Sequence, residues 1–232
     1  MKVFSWNIRH GGGTRITEIL AELERQADSD FIVLTEYRNN KNGLLIKKKL
    51  THLGFVNQHS PNVEAKVNSV LIAAKYSVSF EEFPELQSHQ HRVVSARWKD
   101  THIVGTYFPQ KKEKARVFDF LSDLVKTAHI ETTLIIAGDM NTGVHFEDET
   151  GKSFYCSKDF IELKKEGLTD AWRLMNTKNT EYTWYSNHGN GFRIDHFLIS
   201  SHCNDLVNTC YYLHSPRVNK ISDHSQMILE LR

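Results

Sequence analysis

The chain has 232 residues, 40% of them hydrophobic and 25% charged. This composition suits a globular protein with one sizeable core and excludes disordered, collagen-like and membrane-spanning classes. A formal net charge of +1 gives the chain as a whole no strong pull on polyanions. The odd count of three cysteines, Cys156, Cys203 and Cys210, argues against a disulfide framework or a zinc site and fits reduced thiols.

The opening "MKVFSWNIRH" lacks the apolar segment of a secretory signal, and no apolar run approaches the length of a bilayer. No Pro-, Gly- or Ser-rich linker and no repeat divides the sequence. The expectation is a single domain over 1–232, cytoplasmic, monomeric and without membrane contact or an obligate protein partner. The basic runs Lys47-Lys48-Lys49 and Lys111, Lys112, Lys114, Arg116 read as solvated helix faces.

In chain order, "KVFSWNI" reads as a strand with Val3, Ser5 and Asn7 on one face. "GGG" at 11–13 interrupts it. The glycines serve either as a flexible turn or as backbone that approaches a phosphate. A helix follows with Thr14 as N-cap and Ile16, Ile19, Leu20 and Leu23 as its apolar stripe. "FIVLTE" (31–36) is a buried strand, residues 43–53 a helix, and 68–75, 92–98 and 102–108 strands. Helical spacing returns near 113–127. "TLIIAGD" (133–139) is a strand, 157–165 and 169–175 are short helices, and 192–200 and 225–231 are the closing strands. Strands outnumber helices and several follow one another directly, which favours packed sheets with helices outside over a regular Rossmann alternation.

Four apolar strands end on a polar residue: Asn7, Glu36, Tyr107 and Asp139. The last two strands begin with theirs, in "RID" (Asp195) and "SDH" (Asp223, His224). If those two run antiparallel to the others, all these groups meet at one edge. Asp139 and Asn141, two apart in extended chain, would share a face there. Singly, each has an ordinary structural role, such as a turn cap for Asp139 or a satisfied core hydroxyl for Tyr107. Jointly they form a pocket of carboxylates with one histidine. A hard divalent cation with oxygen ligands relieves such repulsion, and a histidine can meet developing negative charge. That is equipment for metal-assisted attack of water on phosphorus.

The stretches "SWNIR", "LTEYR", "GTYFPQ", "GDMNTG", "TDAWR", "GFRIDHFLIS" and "SDHSQM" occur in this order from the first strand to the last. In this the chain resembles the endonuclease/exonuclease/phosphatase superfamily, with "GTYFPQ" and "TW…GFRIDH" most similar to the exonuclease III-type apurinic endonucleases. The resemblance implies a four-layer α/β sandwich, two packed mixed β-sheets with helices outside, and a Mg²⁺- or Mn²⁺-dependent phosphodiesterase. By position it implies Glu36 as main metal ligand with Asn7 close by and Asp223 at the metal edge. Asp139 would orient or deprotonate the attacking water, and Asn141 would help hold it. Asp195 would orient His224, His224 would contact the scissile phosphate, and Tyr107 would contact phosphate or leaving group. Trp184, Phe192 and Ile194 stand where relatives wall a sugar pocket. Arg9 replaces an acidic or amide residue found in some relatives and is assigned to the substrate side. "LTEYR" and "NIRHGGG" depart from the repair branch.

The resulting expectation is a DNA nuclease, acting within a strand, at 3′ ends or at abasic sites. A phosphoesterase on a phospholipid head group, inositol phosphate or nucleotide is the alternative, kept open by the near-neutral charge. A non-catalytic binding module is the third reading, opposed by the intact acid–His set.

Overall fold

The computed structural model describes residues 1–177 and 179–232. Its strands are β1 (Lys2–Asn7), β2 (Phe31–Tyr37), β3 (Asn57–His59), β4 (Ser69–Ala74), β5 (Ser79–Glu82), β6 (Val93–Trp98), β7 (Thr101–Tyr107), β8 (Thr133–Asp139), β9 (Leu168–Asp170), β10 (Trp184–Tyr185), β11 (Gly191–Phe192), β12 (Asp195–Ser200), β13 (Val207–Leu213) and β14 (Gln226–Leu231). Its helices are α1 (Ile16–Arg25), α2 (Lys41–His52), α3 (Lys114–Thr127), α4 (Ser157–Lys165), α5 (Ala171–Met175) and α6 (Ser215–Val218).

The strands form two six-stranded mixed sheets, in the orders β13-β14-β1-β2-β4-β3 and β5-β6-β7-β8-β12-β9, with β10 and β11 as a separate hairpin. Strand alternation explains the layering. Val3, Val33, Ile72, Ile103, Ile135, Ala137, Phe197 and Leu229 face inward and fuse the two sheets into one apolar slab. Phe4, Trp6, Ile32, Leu34 and Leu71 face outward under Ile19 and Leu23 of α1 and Ile46 and Leu50 of α2. On the other side Val104, Leu134, Ile136 and Leu198 pack under Val117, Phe118 and Leu121 of α3 and Phe160 and Leu163 of α4. This is the four-layer sandwich that the resemblance implies. At Gly105 the sheets approach so closely that a Cβ would stand 2.8 Å from Val70 Cγ1 and 3.0 Å from Val33 Cγ1.

Local departures have physical causes. Thr14 does not cap α1. The chain from Arg9 to Gly13 runs through positive φ at every residue, and the helix starts after Arg15 without a side-chain cap. The glycine segment is not loose, because Asn42 Nδ2 donates to Gly11 O (3.2 Å) and Gly13 O (2.8 Å). The expected strand over 192–200 is two: the chain leaves β11 and re-enters the sheet at Asp195. β13, unseen in the sequence, carries a bulge between Val207 and Thr209 that breaks its period of two. β3 and β5 are polar edge strands with no apolar run to reveal them. No helix among the described residues is long and apolar enough to cross a membrane.

Candidate active site

β1 lies parallel to β2, and β7 parallel to β8, whereas β14 is antiparallel to β1 and β12 antiparallel to β8. The ends of β1, β2, β7 and β8 therefore meet the beginnings of β12 and β14 at one edge. The inward rows run apolar and finish polar there: Val3-Ser5-Asn7, Ile103-Gly105-Tyr107, and Ile135-Ala137-Asp139. A cavity of about 320 Å³ opens at that edge. Glu36, Asp139, Asn141, Trp184, Phe192, Ile194, Asp223 and His224 line it.

Glu36 reaches the site through an irregularity. Simple alternation puts it on the opposite face from Val33 and Thr35. The register slips between Thr35 and Tyr37, and Glu36 takes the extra position at φ 55°. This bulge frees its carboxylate from the pleat. His10 N donates to Oε2 (2.8 Å), as does Asn68 Nδ2 (3.0 Å). Tyr107 OH and Asn7 Nδ2 each donate to Oε1 at 3.3 Å.

Asp139 follows Gly138, whose φ is +139° and whose site has no room for a Cβ, which would fall 2.0 Å from Thr106 O. Asp139 Oδ2 accepts from Asn7 Nδ2 (2.9 Å) and Oδ1 from Asn141 N (2.9 Å). His224 Nδ1 is 2.9 Å from Asp195 Oδ2, and its Nε2 is 3.9 Å from Asp139 Oδ2. Ser222 clamps this segment: its Oγ donates to Asn7 O (2.7 Å) and accepts from His224 N (3.2 Å).

The electrostatics follow from burial. The Asp139 carboxyl stands at about 7, raised chiefly by desolvation and also by Asp195 and Glu36, against the lowering pull of His224. Burial by itself would lower His224, but the charges of Asp195 and Asp139 outweigh it and lift the imidazole to about 10. Burial, reinforced by Glu36 and Asp139, pushes the Tyr107 hydroxyl well up. The histidine is therefore an imidazolium at neutral pH, a donor aimed between two acids.

Donor atoms of Asp139, Asp195 and His224 lie within 4.8 Å of one another, a set that could hold a metal ion. Asp195 is already spent on His224. The carboxylates lining the cavity are those of Glu36, Asp139 and Asp223, a hard donor set that fits a small divalent cation completed by phosphate and water. Asn7 turns its amide nitrogen to Glu36 and Asp139, while its Oδ1 accepts from Arg9 N (2.9 Å).

Three further placements differ from expectation. Asn141 lines the cavity but not by strand alternation. It is left-handed at φ 51°, and its amide is held by Phe108 O (2.9 Å) and Gln110 Nε2 (2.6 Å). Arg9 stays on the rim, largely exposed, with Nε 3.8 Å from Asp223 Oδ2. Asp223 also accepts from Trp184 Nε1 (3.3 Å). Lys114 is not on a solvated helix face. It is buried, its ammonium donates to Asn141 O, and it lines the cavity. Burial lowers its pKa, opposed by Cys156 and Asp139. Gln110, Asn68 and Ser222 were also missed. Lys114 is the most legible of them, since it opens α3 at the turn of the helix that faces the sheet.

The sequence profile of the Endonuclease/Exonuclease/phosphatase family matches residues 4–224. The chain belongs to this family. Its members hydrolyse phosphoesters, and the acid–histidine edge just described is where the matched motifs converge. Solved structures share the whole fold. An AP endonuclease from Archaeoglobus fulgidus superposes with a TM-score of 0.82 at 19% identity, covering 100% of this chain and 99% of the other. A 3′ phosphatase from Neisseria, bound to a product DNA hairpin, gives 0.83 at 20% identity with the same coverage. A 3′-5′ exonuclease from Neisseria meningitidis gives 0.79 at 20% identity, again with 100% and 99% covered.

Proposed function

We propose that this member of the family is a divalent-cation-dependent phosphodiesterase acting on DNA. The observation that carries the reading is one cavity in which Glu36, Asp139 and His224 share a wall with Trp184, Phe192 and Ile194. Acid–histidine chemistry for a phosphodiester thus lies beside an apolar wall suited to a sugar or base. Family structures solved as an AP endonuclease and with product DNA support the same substrate class.

Glu36 would hold Mg²⁺ or Mn²⁺, with Asp223 and Asp139 as neighbouring oxygens, while Asn7 links Glu36 to Asp139 by hydrogen bonds. When bound, the cation neutralises phosphate charge and favours the developing oxyanion. Asp139, with its raised pKa, accepts a proton from the attacking water near neutral pH. His224, kept protonated and oriented by Asp195, donates to a phosphate oxygen. Lys114 fixes the Asn141 backbone and adds positive charge beneath the site. Tyr107 keeps Glu36 in its bulge.

The test is a Mg²⁺-titrated cleavage assay over an abasic duplex, an intact duplex, single-stranded DNA, RNA and bis-p-nitrophenyl phosphate, with Asp139→Asn as control. Cleavage of a DNA substrate that vanishes in the variant supports the reading. Turnover of the small diester alone moves the assignment to a non-nucleic-acid phosphoester, the alternative that the net charge of +1 keeps open.

A further inference from the structure

Five rings form a continuous row from the wall of the catalytic cavity to the protein surface. Trp184 and Phe192 are cross-strand partners in the β10–β11 hairpin, with centroids 5.7 Å apart. Phe154 meets Phe192 edge-on at 5.6 Å, His145 stacks on Phe154 at 6.2 Å, and Phe146 meets His145 at 6.5 Å. These are the spacings of interacting aromatic pairs. The first three line the cavity. All keep part of their surface open, and Phe146, at the far end, is 71% exposed.

Phe146 is strained as it stands, because a bulky residue at φ 63° is unfavourable. The loop that carries it is nonetheless tied down by buried polar contacts. Val144 N donates to Asp148 Oδ2 (2.8 Å), and Asp148 N to Val144 O (2.8 Å). Asp148 is held by Arg193 (2.7 Å) and Arg173 (2.8 Å), and buried Glu149 accepts from Ser153 N and Phe154 N.

Adjoining the cavity, a second hollow is lined by Arg92, Lys111 and Lys112 and shares Gln110 and Tyr155 with the catalytic one. Its single acid, Glu113, faces His89 at 3.7 Å. An aromatic row and a basic groove that both adjoin the proposed phosphate-cleaving site supply what an unpaired strand requires: ring faces for bases and cations for the backbone.

We propose that the row from Trp184 to Phe146 is a stacking track for the bases of an unpaired strand leading into the catalytic cavity. Phosphates beyond the scissile one then follow the Arg92–Lys111–Lys112 groove. The preferred substrate class is single-stranded or frayed nucleic acid. This rests on the nucleic-acid reading above.

The test compares wild type, Phe146→Ala and Phe146→Tyr on a single-stranded oligonucleotide, the fully paired duplex of the same sequence, and bis-p-nitrophenyl phosphate. Phe146→Ala is expected to lower kcat/KM on the single strand by about 5- to 150-fold, the worth of one stacked base. Phe146→Tyr should restore it, with duplex and small diester unchanged. A 2-aminopurine oligonucleotide bound to the Asp139→Asn protein should be quenched, and the quench should be lost when Phe146→Ala is added. Equal loss on all three substrates, or none on the single strand, overturns the stacking track while leaving the nuclease reading intact. Turnover of the small diester alone, in wild type, overturns both.

Discussion

Asp139 and Asp195 are directly opposed partners across the antiparallel pair β8–β12. Two carboxylates in facing register repel, and both are buried. His224 interposes a charge, 2.9 Å from Asp195 and 3.9 Å from Asp139. The pair thus flanks the imidazole with two buried carboxylates, and Asp195 anchors it by hydrogen bond.

Asp195→Asn removes the anchor. The imidazole should titrate well below its present value of about 10, and kcat should fall by about 10²- to 10⁴-fold with KM largely kept. NMR titration of His224 beside a pH–rate profile checks this, and an unmoved histidine pKa would sink the positioning role.

Stability should follow pH through the same groups. Asp139 is raised to about 7 from an ordinary 3.8, so its contribution is full below 3.8 and lost as pH rises through about 7. His224, raised to about 10 from 6.5, contributes fully below 6.5 and loses that contribution as pH rises through about 10. In the absence of metal, Asp139→Asn should flatten the fall in Tm that this carboxyl causes up to about pH 7. Thermal unfolding over a pH series reads it directly.

A divalent cation should raise Tm, most above pH 7, where Asp139 is ionised. Glu36→Gln should raise the half-saturating Mg²⁺ concentration by on the order of tenfold or more. Identical Mg²⁺ dependence in wild type and variant would remove Glu36 from the cation site.

Lys114→Met deletes a buried charge and leaves Asn141 O without its donor. A stability loss of about 1–3 kcal/mol is expected, together with lowered kcat. Urea unfolding and single-turnover kinetics separate the two effects.

Arg193→Met leaves Asp148 and Asp170 buried without their shared guanidinium, now at 2.7 and 2.6 Å. Breaking such a pair costs about 3–5 kcal/mol, a fall in Tm on the order of 10 °C for a chain of this size.

The sequence by itself determined the layered α/β architecture and the edge where the chemistry gathers. Alternating apolar runs that end on Asn7, Tyr107 and Asp139, and others that begin at Asp195 and His224, need only opposite strand directions to converge, and β1, β7, β8, β12 and β14 have them. Tertiary structure decided what periodicity cannot carry. The bulge that turns Glu36 into the cavity is a one-residue slip against β4, invisible until strands pair. Lys114 looked like one more surface lysine because burial of a charge depends on the carbonyl that receives it. The row from Trp184 to Phe146 joins a hairpin to a distant loop, and only packing brings segments so far apart in the chain into one line.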